Sequence, residues 1–158
     1  MQRFQMRQKM ISIGDDYWIE DDHGHKAFKV DGKALRVRDT WVLEDTTGAE
    51  VAKIKERKLS VRDKMKIELA DRTATVTKRK LGFRDHFKVE VDHGDDLKVH
   101  GNIVDHEYEI EDDRGTVAKV SKKWFRLRDT YGVEVEPLVD PVLILAITVA
   151  VDAMSHER

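Results

Sequence analysis

The sequence contains no cysteine among its 158 residues. This absence excludes disulfide bonds, thiol catalysis and thiolate metal sites, and it fits a reducing, cytoplasmic environment. A charge excess of one sign is also lacking, because 31 acidic residues nearly offset 29 basic ones and the net charge is −2. We therefore expect no nucleic-acid partner for this chain.

Long hydrophobic runs are equally scarce. The segment 1–16 has no apolar core of the kind found in signal peptides, so we expect none. The longest apolar run is VLILAITVAV at 142–151. A membrane-spanning helix needs about 20 apolar residues, more than this run and its flanks supply. The length of the chain predicts one domain, 1–158, with a substantial core.

A short repeat organises the rest of the sequence. The string LRVRD at 35–39 recurs as LSVRD at 59–63, LGFRD at 81–85 and FRLRD at 125–129, with weaker copies ISIGD at 11–15 and GNIVD at 101–105. An internal repeat at this spacing indicates one supersecondary unit that is used several times.

The residues after each closing aspartate follow a fixed pattern. Large apolar residues stand two and four positions on, and glutamate stands five positions on, as in Tyr17, Ile19 and Glu20. The copy after Asp105 is shifted by one residue, as a β-bulge or a longer turn would do. The alternation predicts hairpins with an apolar inner face and an Arg/Glu outer face. Asp-x-x-Gly clusters such as 45–48 predict the turns between strands.

Counting these units predicts the architecture. A leading strand near Phe4–Ile13, five hairpins and a closing strand at Tyr131–Glu136 make twelve strands. Twelve antiparallel strands with one apolar face favour a closed barrel, which leaves no open sheet edge. A barrel of more than about eight strands is too wide for its own side chains to fill. We therefore predict a mainly β protein, with a closed antiparallel barrel (4–136) around a central hydrophobic helix (141–154).

The C-terminal apolar run has two interpretations, a buried helix or a thirteenth strand. Its β-branched residues favour a strand. Its length favours a helix, and Asp140 and Pro141 suit the N-cap and the first helical position. A helix that is apolar on every side belongs in a core. We predict the helix, and we expect Asp152 near its end to lie in water at the barrel mouth.

Two segments carry a resemblance to a known family. They are FQMRQKMISIGDDYWIEDDHGHKAFKVDGKALRVRDTWVLED, from Phe4, and GNIVDHEYEIEDDRGTVAKVSKKWFRLRDTYGVEV, from Gly101. With the apolar tail, they make the chain resemble LURP-one-related proteins of the tubby C-terminal-like superfamily over essentially its whole length. The resemblance implies a twelve-stranded barrel around a hydrophobic helix. Tubby proteins bind phosphoinositide headgroups on the barrel exterior, but no residue pattern here matches that site.

Two basic runs lie in consecutive predicted hairpins, KIKERK at Lys53–Lys58 and KRK at Lys78–Lys80. If neighbouring strands bring them together, they form a positive patch suited to anionic lipid headgroups. The candidate lipid-binding residues are Lys53, Lys55, Arg57, Lys58, Lys78, Arg79 and Lys80. The alternative is a solvated strand face whose lysines pair with the repeated glutamates.

Motifs for catalysis or metal binding are lacking. The sequence has no GxSxG, Gly-rich phosphate loop, HExxH or EF-hand pattern, so we predict no catalytic site, metal or cofactor. His23 and His25 form an H-x-H pair that we interpret as part of a polar turn. The string Asp105-His106-Glu107 resembles an acid/base cluster, but it lies where the repeat is irregular.

We therefore predict a non-enzymatic binding module that engages anionic phospholipid headgroups or a protein partner through the barrel exterior. Such a protein would be cytoplasmic, with peripheral membrane contact. The alternative is a scramblase-like, membrane-attached protein that uses its apolar C-terminal segment. An enzyme with its site at the barrel mouth is a third hypothesis, which no motif favours.

Overall fold

The computed structural model describes residues 1–7, 16–31, 40–56, 64–81, 84–125 and 130–155. Within them lie twelve strands and one helix. The strands are β1 (Gln2–Arg7), β2 (Tyr17–Asp21), β3 (Lys26–Asp31), β4 (Thr40–Glu44), β5 (Glu50–Glu56), β6 (Lys64–Leu69), β7 (Thr73–Leu81), β8 (Arg84–Val91), β9 (Leu97–Asn102), β10 (Glu107–Asp112), β11 (Gly115–Ser121) and β12 (Thr130–Val135). The helix is α1 (Pro141–Ser155).

The strands form a closed barrel in chain order. Each strand pairs antiparallel with its sequence neighbours, and β1 pairs with β12 to close the sheet, with Phe4 opposite Val133. The predicted fold class, a twelve-stranded antiparallel barrel with a C-terminal helix, is thereby confirmed. Closure satisfies the backbone groups that an open sheet would leave at its two edges.

The apolar positions of the repeat line the inside of the barrel, as the alternation predicted. The residues two positions after the repeat aspartates are all buried; they are Tyr17, Trp41, Met65, Phe87 and Tyr131. The glutamates five positions on, such as Glu68 and Glu90, lie on the solvent side. Burial of the apolar set fixes the register, since a slip of one residue would turn every inner side chain outward.

The irregular repeat copy results from a longer turn. Gly101 and Asn102 belong to β9, whereas Ile103–His106 form a turn closed by a hydrogen bond from the His106 amide to the Ile103 carbonyl, 3.2 Å. Most of the other LRVRD-type strings, at 11–15, 35–39, 59–63 and 126–129, lie outside the described residues.

The Asp-x-x-Gly clusters form the expected turns. Asp45 Oδ1 accepts hydrogen bonds from the amides of Thr47, 2.9 Å, and Ala49, 3.1 Å. Gly48 follows with φ +89°, a left-handed conformation that side chains with a Cβ rarely adopt. The turn after β8 differs, because His93 (φ 60°) and not Gly94 takes the left-handed conformation.

The helix fills the barrel and confirms the predicted central element, which was expected at 141–154. Asp140 caps it, with its Oδ1 accepting from the Val142 amide at 2.9 Å. Ile144, Leu145 and Ile147 are 0% exposed. Because strands surround the helix, the residues from Val142 to Val151 are apolar on every side, with Thr148 as the exception.

The helix direction distinguishes two ends of the barrel. At the N-end, where α1 begins, Arg72 in the β6–β7 turn contacts Asp140 at 2.9 Å. At the C-end, where α1 ends, His106 in the β9–β10 turn faces Asp152 at 3.2 Å. The Asp-x-x-Gly turns lie at the N-end.

Placing a charge inside the barrel tests the role of the helix. We expect Leu145→Asp to lower the free energy of unfolding by about 4 kcal/mol or more, because it buries an unpaired carboxylate. Leu138→Asp is the matched control, since Leu138 is fully exposed in the turn before α1. Urea unfolding followed by circular dichroism measures both variants.

Deleting the helix is the second test of its role. A chain that ends at Val139 should lose cooperative unfolding, because nothing else fills so wide a barrel. If this shortened chain melted cooperatively at a temperature close to that of the full chain, the central helix would not be what holds the barrel together.

Candidate functional site

The outer surface of β5–β9 is rich in lysine. We call its basic residues the lysine face; they are Lys53, Lys55, Lys64, Lys66, Arg79, Lys88 and Lys98. Each alternates along its strand with residues that point into the barrel, as Lys53 and Lys55 alternate with the buried Ala52 and Ile54. The strand period therefore places all these cations on one outer surface.

The register brings lysines directly opposite each other. Lys55 lies opposite Lys66, and Lys88 lies opposite Lys98. Like charges in such cross-strand positions destabilise a sheet. Lys98 also faces Glu111 on its other side. The Lys55/Lys66 and Lys88/Lys98 pairs thus place positive charge on the surface at a cost to folding.

One glutamate, Glu68, contacts both lysines of the Lys55/Lys66 pair. Glu68 Oε2 lies 3.1 Å from Lys55 Nζ and 3.8 Å from Lys66 Nζ. The hydrogen bond from Lys55, reinforced by the charges of Lys55, Lys66 and Lys53, holds the pKa of Glu68 below its usual range. Three lysines therefore act on one carboxylate, which leaves a local excess of positive charge. Lys53 also lies 3.5 Å from Glu50.

The candidate residues named from the sequence separate into three groups. Lys53, Lys55 and Arg79 lie on the lysine face. Arg57 and Lys58 lie outside the described residues, and of Lys80 only the backbone in β7 is described.

Lys78 does not lie on the exterior as expected. It continues the inward series Ala74 and Val76 on β7, and its Nζ donates to the carbonyl oxygen of Met154 at 3.3 Å. An ammonium group at the carbonyl end of a helix is favoured by the helix dipole. Lys78 therefore stabilises the end of α1 and does not belong to the outer surface.

Four residues of the lysine face were missed by sequence reasoning: Lys64, Lys66, Lys88 and Lys98. A signal was present, because Lys66 and Lys88 each stand three positions after a repeat aspartate, on the side opposite to the apolar positions. That these lysines lie opposite other lysines could not be predicted from any single segment, because it depends on the register between strands.

The opposite half of the barrel has balanced charges. Residues in register across four strands alternate in sign: Arg3, Glu134, Lys119 and Glu109. His100 on β9 follows opposite Glu109. The Arg3 Nε–Glu134 Oε2 distance is 2.7 Å. In this row Arg3 and Lys119 each face an acid, which distinguishes the row from the opposed lysines of the lysine face.

A polar cluster lies inside the barrel at the C-end. Asp152 accepts a hydrogen bond from the Tyr131 hydroxyl and faces His106 Nε2 at 3.2 Å. The His106 ring stacks on Tyr131 with centroids 4.3 Å apart. The Asp152 side chain is 3% exposed, so the expectation that it lies in water is wrong. The carboxylate is held inside because polar partners from the β9–β10 turn and β12 offset its desolvation.

The tyrosines around this cluster are held in their neutral form. Burial, followed by the charge of Asp152, raises the pKa of Tyr17, Tyr108 and Tyr131 well above 10. The His106 and Asp152 side chains are 1% and 3% exposed, so solvent and solutes have no direct access to them. The cluster therefore has the chemistry of a structural anchor for the end of α1.

The remaining candidates show no built site. His23 and His25 lie on the β2–β3 turn with side chains 76% and 80% exposed. In the part of the chain that the structure describes, no group of three or more His, Asp or Glu side chains is arranged to hold a metal ion. Nor does any helix of the described ranges have the length and hydrophobicity needed to cross a membrane.

Comparison with known proteins adds two findings. The model of the LURP-one-related family matches residues 2–152. The fold is similar to that of an X-ray structure of a protein from Arabidopsis thaliana, with a TM-score of 0.70 and 20% sequence identity over 98% of this chain and 92% of that one. At that identity the likeness concerns the fold alone. No curated protein matches the sequence.

The tyrosines provide a test of the buried cluster, because the chain has three and all of them are buried. We expect no tyrosinate absorbance near pH 10 while the protein is folded, whereas all three should titrate near their ordinary pKa of about 10 in urea. The folded state keeps protons that the unfolded state loses. The contribution of the three tyrosines to the free energy of unfolding should therefore be constant below about pH 10 and fall as the pH rises further. A native titration step near pH 10 would contradict the burial.

Proposed function

The chain belongs to the LURP-one-related family, and we propose that it is a non-enzymatic binding module whose lysine face holds anionic phospholipid headgroups. The observation that supports this most directly is the pair Lys55/Lys66, set opposite each other with one shared glutamate. A phosphate or carboxylate between such lysines would supply the missing negative charge.

The geometry of a strand pair suits this ligand. Opposed residues on neighbouring strands have Cβ atoms about 4.5–5.5 Å apart, so two lysine side chains converge on one phosphate without strain. Lysine acts as a flexible point charge, which matches headgroups that differ in shape. Each basic residue near an anionic membrane contributes about 1 kcal/mol, and the contributions of several lysines add.

The packing of the barrel interior also favours binding on the outer surface. The buried His106–Asp152 pair is closed to solutes, and the interior of the barrel is filled by α1. Insertion of the C-terminal segment into lipid would require α1 to leave the barrel and expose an apolar core. Binding through the exterior needs no such rearrangement, which is why we place it ahead of a scramblase-like action.

Removing the opposed lysines tests the proposal. We expect the double variant Lys55→Gln/Lys66→Gln to bind vesicles of phosphatidylcholine with phosphatidylserine about 30-fold more weakly, since two lysines contribute about 2 kcal/mol. Vesicle flotation at low salt measures the loss, and added salt should weaken binding by the unchanged chain.

The matched control removes the same charge from the balanced half of the barrel. Arg3→Gln/Lys119→Gln has the same net charge as the test variant, and Arg3 and Lys119 lie in the alternating row on either side of Glu134. This control should bind nearly as well as the unchanged chain. An equal loss in both variants, or no preference for anionic vesicles at low salt, would overturn the proposal.

A further inference from the structure

A groove lies on the outer surface of β9–β11, and it shares no residue with the lysine face. Its volume is about 350 Å³. Pockets for small molecules measure about 300–1,000 Å³, so the groove is at the small end of that range. The lining side chains that are charged, ionisable or aromatic all belong to described residues, and they are His100, Glu107, Glu109, Lys119, Lys123 and Trp124.

Residues 122–125, which follow β11, supply the aromatic wall of this groove. They pack on Gly132 of β12, where a Cβ atom would come within 2.8 Å of the rings of both Trp124 and Phe125. Arg3 also contacts Trp124, with its guanidinium carbon 5.0 Å from the centre of the ring. A glycine inside a strand often marks the close approach of another group. Here the glycine allows Trp124 to sit on the sheet beside the groove.

Glu107 connects this wall to the strands below it. Its Oε1 accepts hydrogen bonds from the Ser121 hydroxyl, 3.0 Å, and from the Lys122 amide, 3.1 Å. The Ser121 hydroxyl oxygen in turn accepts from the Lys123 amide at 3.1 Å. These bonds hold the start of the segment against β10, so the wall is in place before a ligand binds. Binding groups that are already ordered lose less entropy on binding.

The two lysines of the groove are not neutralised by the protein. Lys119 lies in register with Glu109 on one side and Glu134 on the other. In the part of the chain that the structure describes, it forms an ion pair with neither, and Glu134 is instead held by Arg3 at 2.7 Å. Lys123 forms no ion pair with a described residue either. Both ammonium groups therefore remain available to an anionic group of a ligand.

The two glutamates of the groove are likewise without a cationic partner among the described residues. Glu107 accepts only from a hydroxyl and an amide, and Glu109 Oε1 accepts from the Thr116 hydroxyl at 3.0 Å. His100 lies next to Glu109 but directs its Nε2 to Glu111, 3.2 Å away. The groove thus combines two carboxylates on β10 with two ammonium groups on the side of β11.

We propose that this groove binds a small zwitterion whose ammonium group and carboxylate are joined by an apolar chain. The ammonium group contacts Glu107 and Glu109, the carboxylate contacts Lys119 and Lys123, and the apolar chain packs against Trp124. Charge-assisted hydrogen bonds of this kind are roughly twice as strong as neutral ones. Neighbouring strands are about 4.8 Å apart, so the two charges of the ligand must also be separated.

A ligand with one charge suits the groove less well. An anion would lie beside the two glutamates, and a cation would lie beside the two lysines, so each would meet like charges as well as opposite ones. A free ω-amino acid and the C-terminal lysine of a partner protein both carry the required pair of charges. The inference goes beyond the proposed lipid binding and does not rest on it.

Three compounds of equal chain length test the proposal, namely 6-aminohexanoate, hexylamine and hexanoate. We expect 6-aminohexanoate to bind with a dissociation constant of about 1 mM and each analogue to bind about tenfold more weakly, because each lacks one charged contact. Nuclear magnetic resonance titration of the full chain, followed at the Trp124 indole and the backbone amides, measures the three affinities. Equal affinities, or no shift of these signals at about 50 mM 6-aminohexanoate, would overturn the proposal.

Charge variants distinguish contact with the ligand from a structural effect. Glu109→Gln should weaken binding of 6-aminohexanoate about tenfold and leave binding of hexanoate unweakened, whereas Lys119→Gln should weaken both of these ligands. A structural effect would instead lower the affinity for all three compounds in either variant. That result would contradict direct contact.

Tryptophan variants test the wall. Trp124→Leu should weaken binding of 6-aminohexanoate severalfold, because the apolar chain loses contact area. The matched control is Trp18→Leu, since Trp18 on β2 is also half-buried and has a cation near its ring, Lys26 at 5.1 Å. The control should bind like the unchanged chain. An equal loss in the two variants would show that Trp124 is not part of the site.

A glycine peptide that ends in lysine identifies the source of the zwitterion. Tighter binding of this peptide than of 6-aminohexanoate would assign the groove to the C-terminus of a partner chain, and weaker binding would assign it to a free zwitterion. Amidation of the peptide removes its carboxylate and should reduce its binding about tenfold. Binding that is unchanged by amidation would contradict the role of the lysines.

Vesicle flotation of the same proteins separates this site from the lysine face. Lys55→Gln/Lys66→Gln should lose vesicle binding and keep its affinity for 6-aminohexanoate. Arg3→Gln/Lys119→Gln should float and bind 6-aminohexanoate at least tenfold more weakly. If the unchanged chain binds 6-aminohexanoate but no vesicles, the proposed function fails and the groove stands. If both activities fall together in both variants, the groove is not a separate site.

Discussion

The mutual burial of helix and barrel is the constraint on which this structure depends. Twelve strands enclose more space than their own side chains fill, and a helix without a polar face has no stable position in water. Each element buries the apolar surface of the other. Leu145 and Ile147 lose all contact with solvent, and the inner faces of the strands pack against the helix. Neither the sheet nor the helix is a stable arrangement alone, which makes folding of the C-terminal segment inseparable from closure of the sheet.

Polar contacts at both ends set the position of the helix along the barrel axis. Arg72 holds the N-cap residue Asp140, and His106 with Tyr131 holds Asp152. Apolar packing is tolerant of sliding, whereas a buried carboxylate displaced from its partners costs several kcal/mol. The cluster at the C-end is thus best understood as a positional device. It uses residue types that are common in active sites, but its closed surroundings give them a structural role.

Because the inside is committed to packing, the outside is free to carry function. The net charge of −2 conceals an uneven distribution, with opposed lysines on β5–β9, alternating charges from β9 to β1, and acids in the N-end turns. The repeat produces this arrangement economically. The repeat copies contribute apolar inner pairs, outer glutamates and turn aspartates. The outer position three residues after the repeat aspartate varies, and in two copies it is occupied by lysine (Lys66 and Lys88).

Local signals in the sequence account for the strands, the turns and the helix. Alternation along each segment defined the inner face, Asp-x-x-Gly defined the turns, and Asp140-Pro141 defined the start of α1, because these signals act between residues close in the chain. The pairing of residues across the sheet and the enclosure of particular polar groups become visible only in the folded barrel. Lys55 and Lys66 are neighbours through strand register, and Asp152 is buried because the distant β9–β10 turn brings His106 to it. Lys78 faces inward because it continues the series of Ala74 and Val76 on β7, and only the packed helix shows that its Nζ meets the carbonyl oxygen of Met154. Such contacts depend on closure of the barrel around α1, which no local pattern encodes.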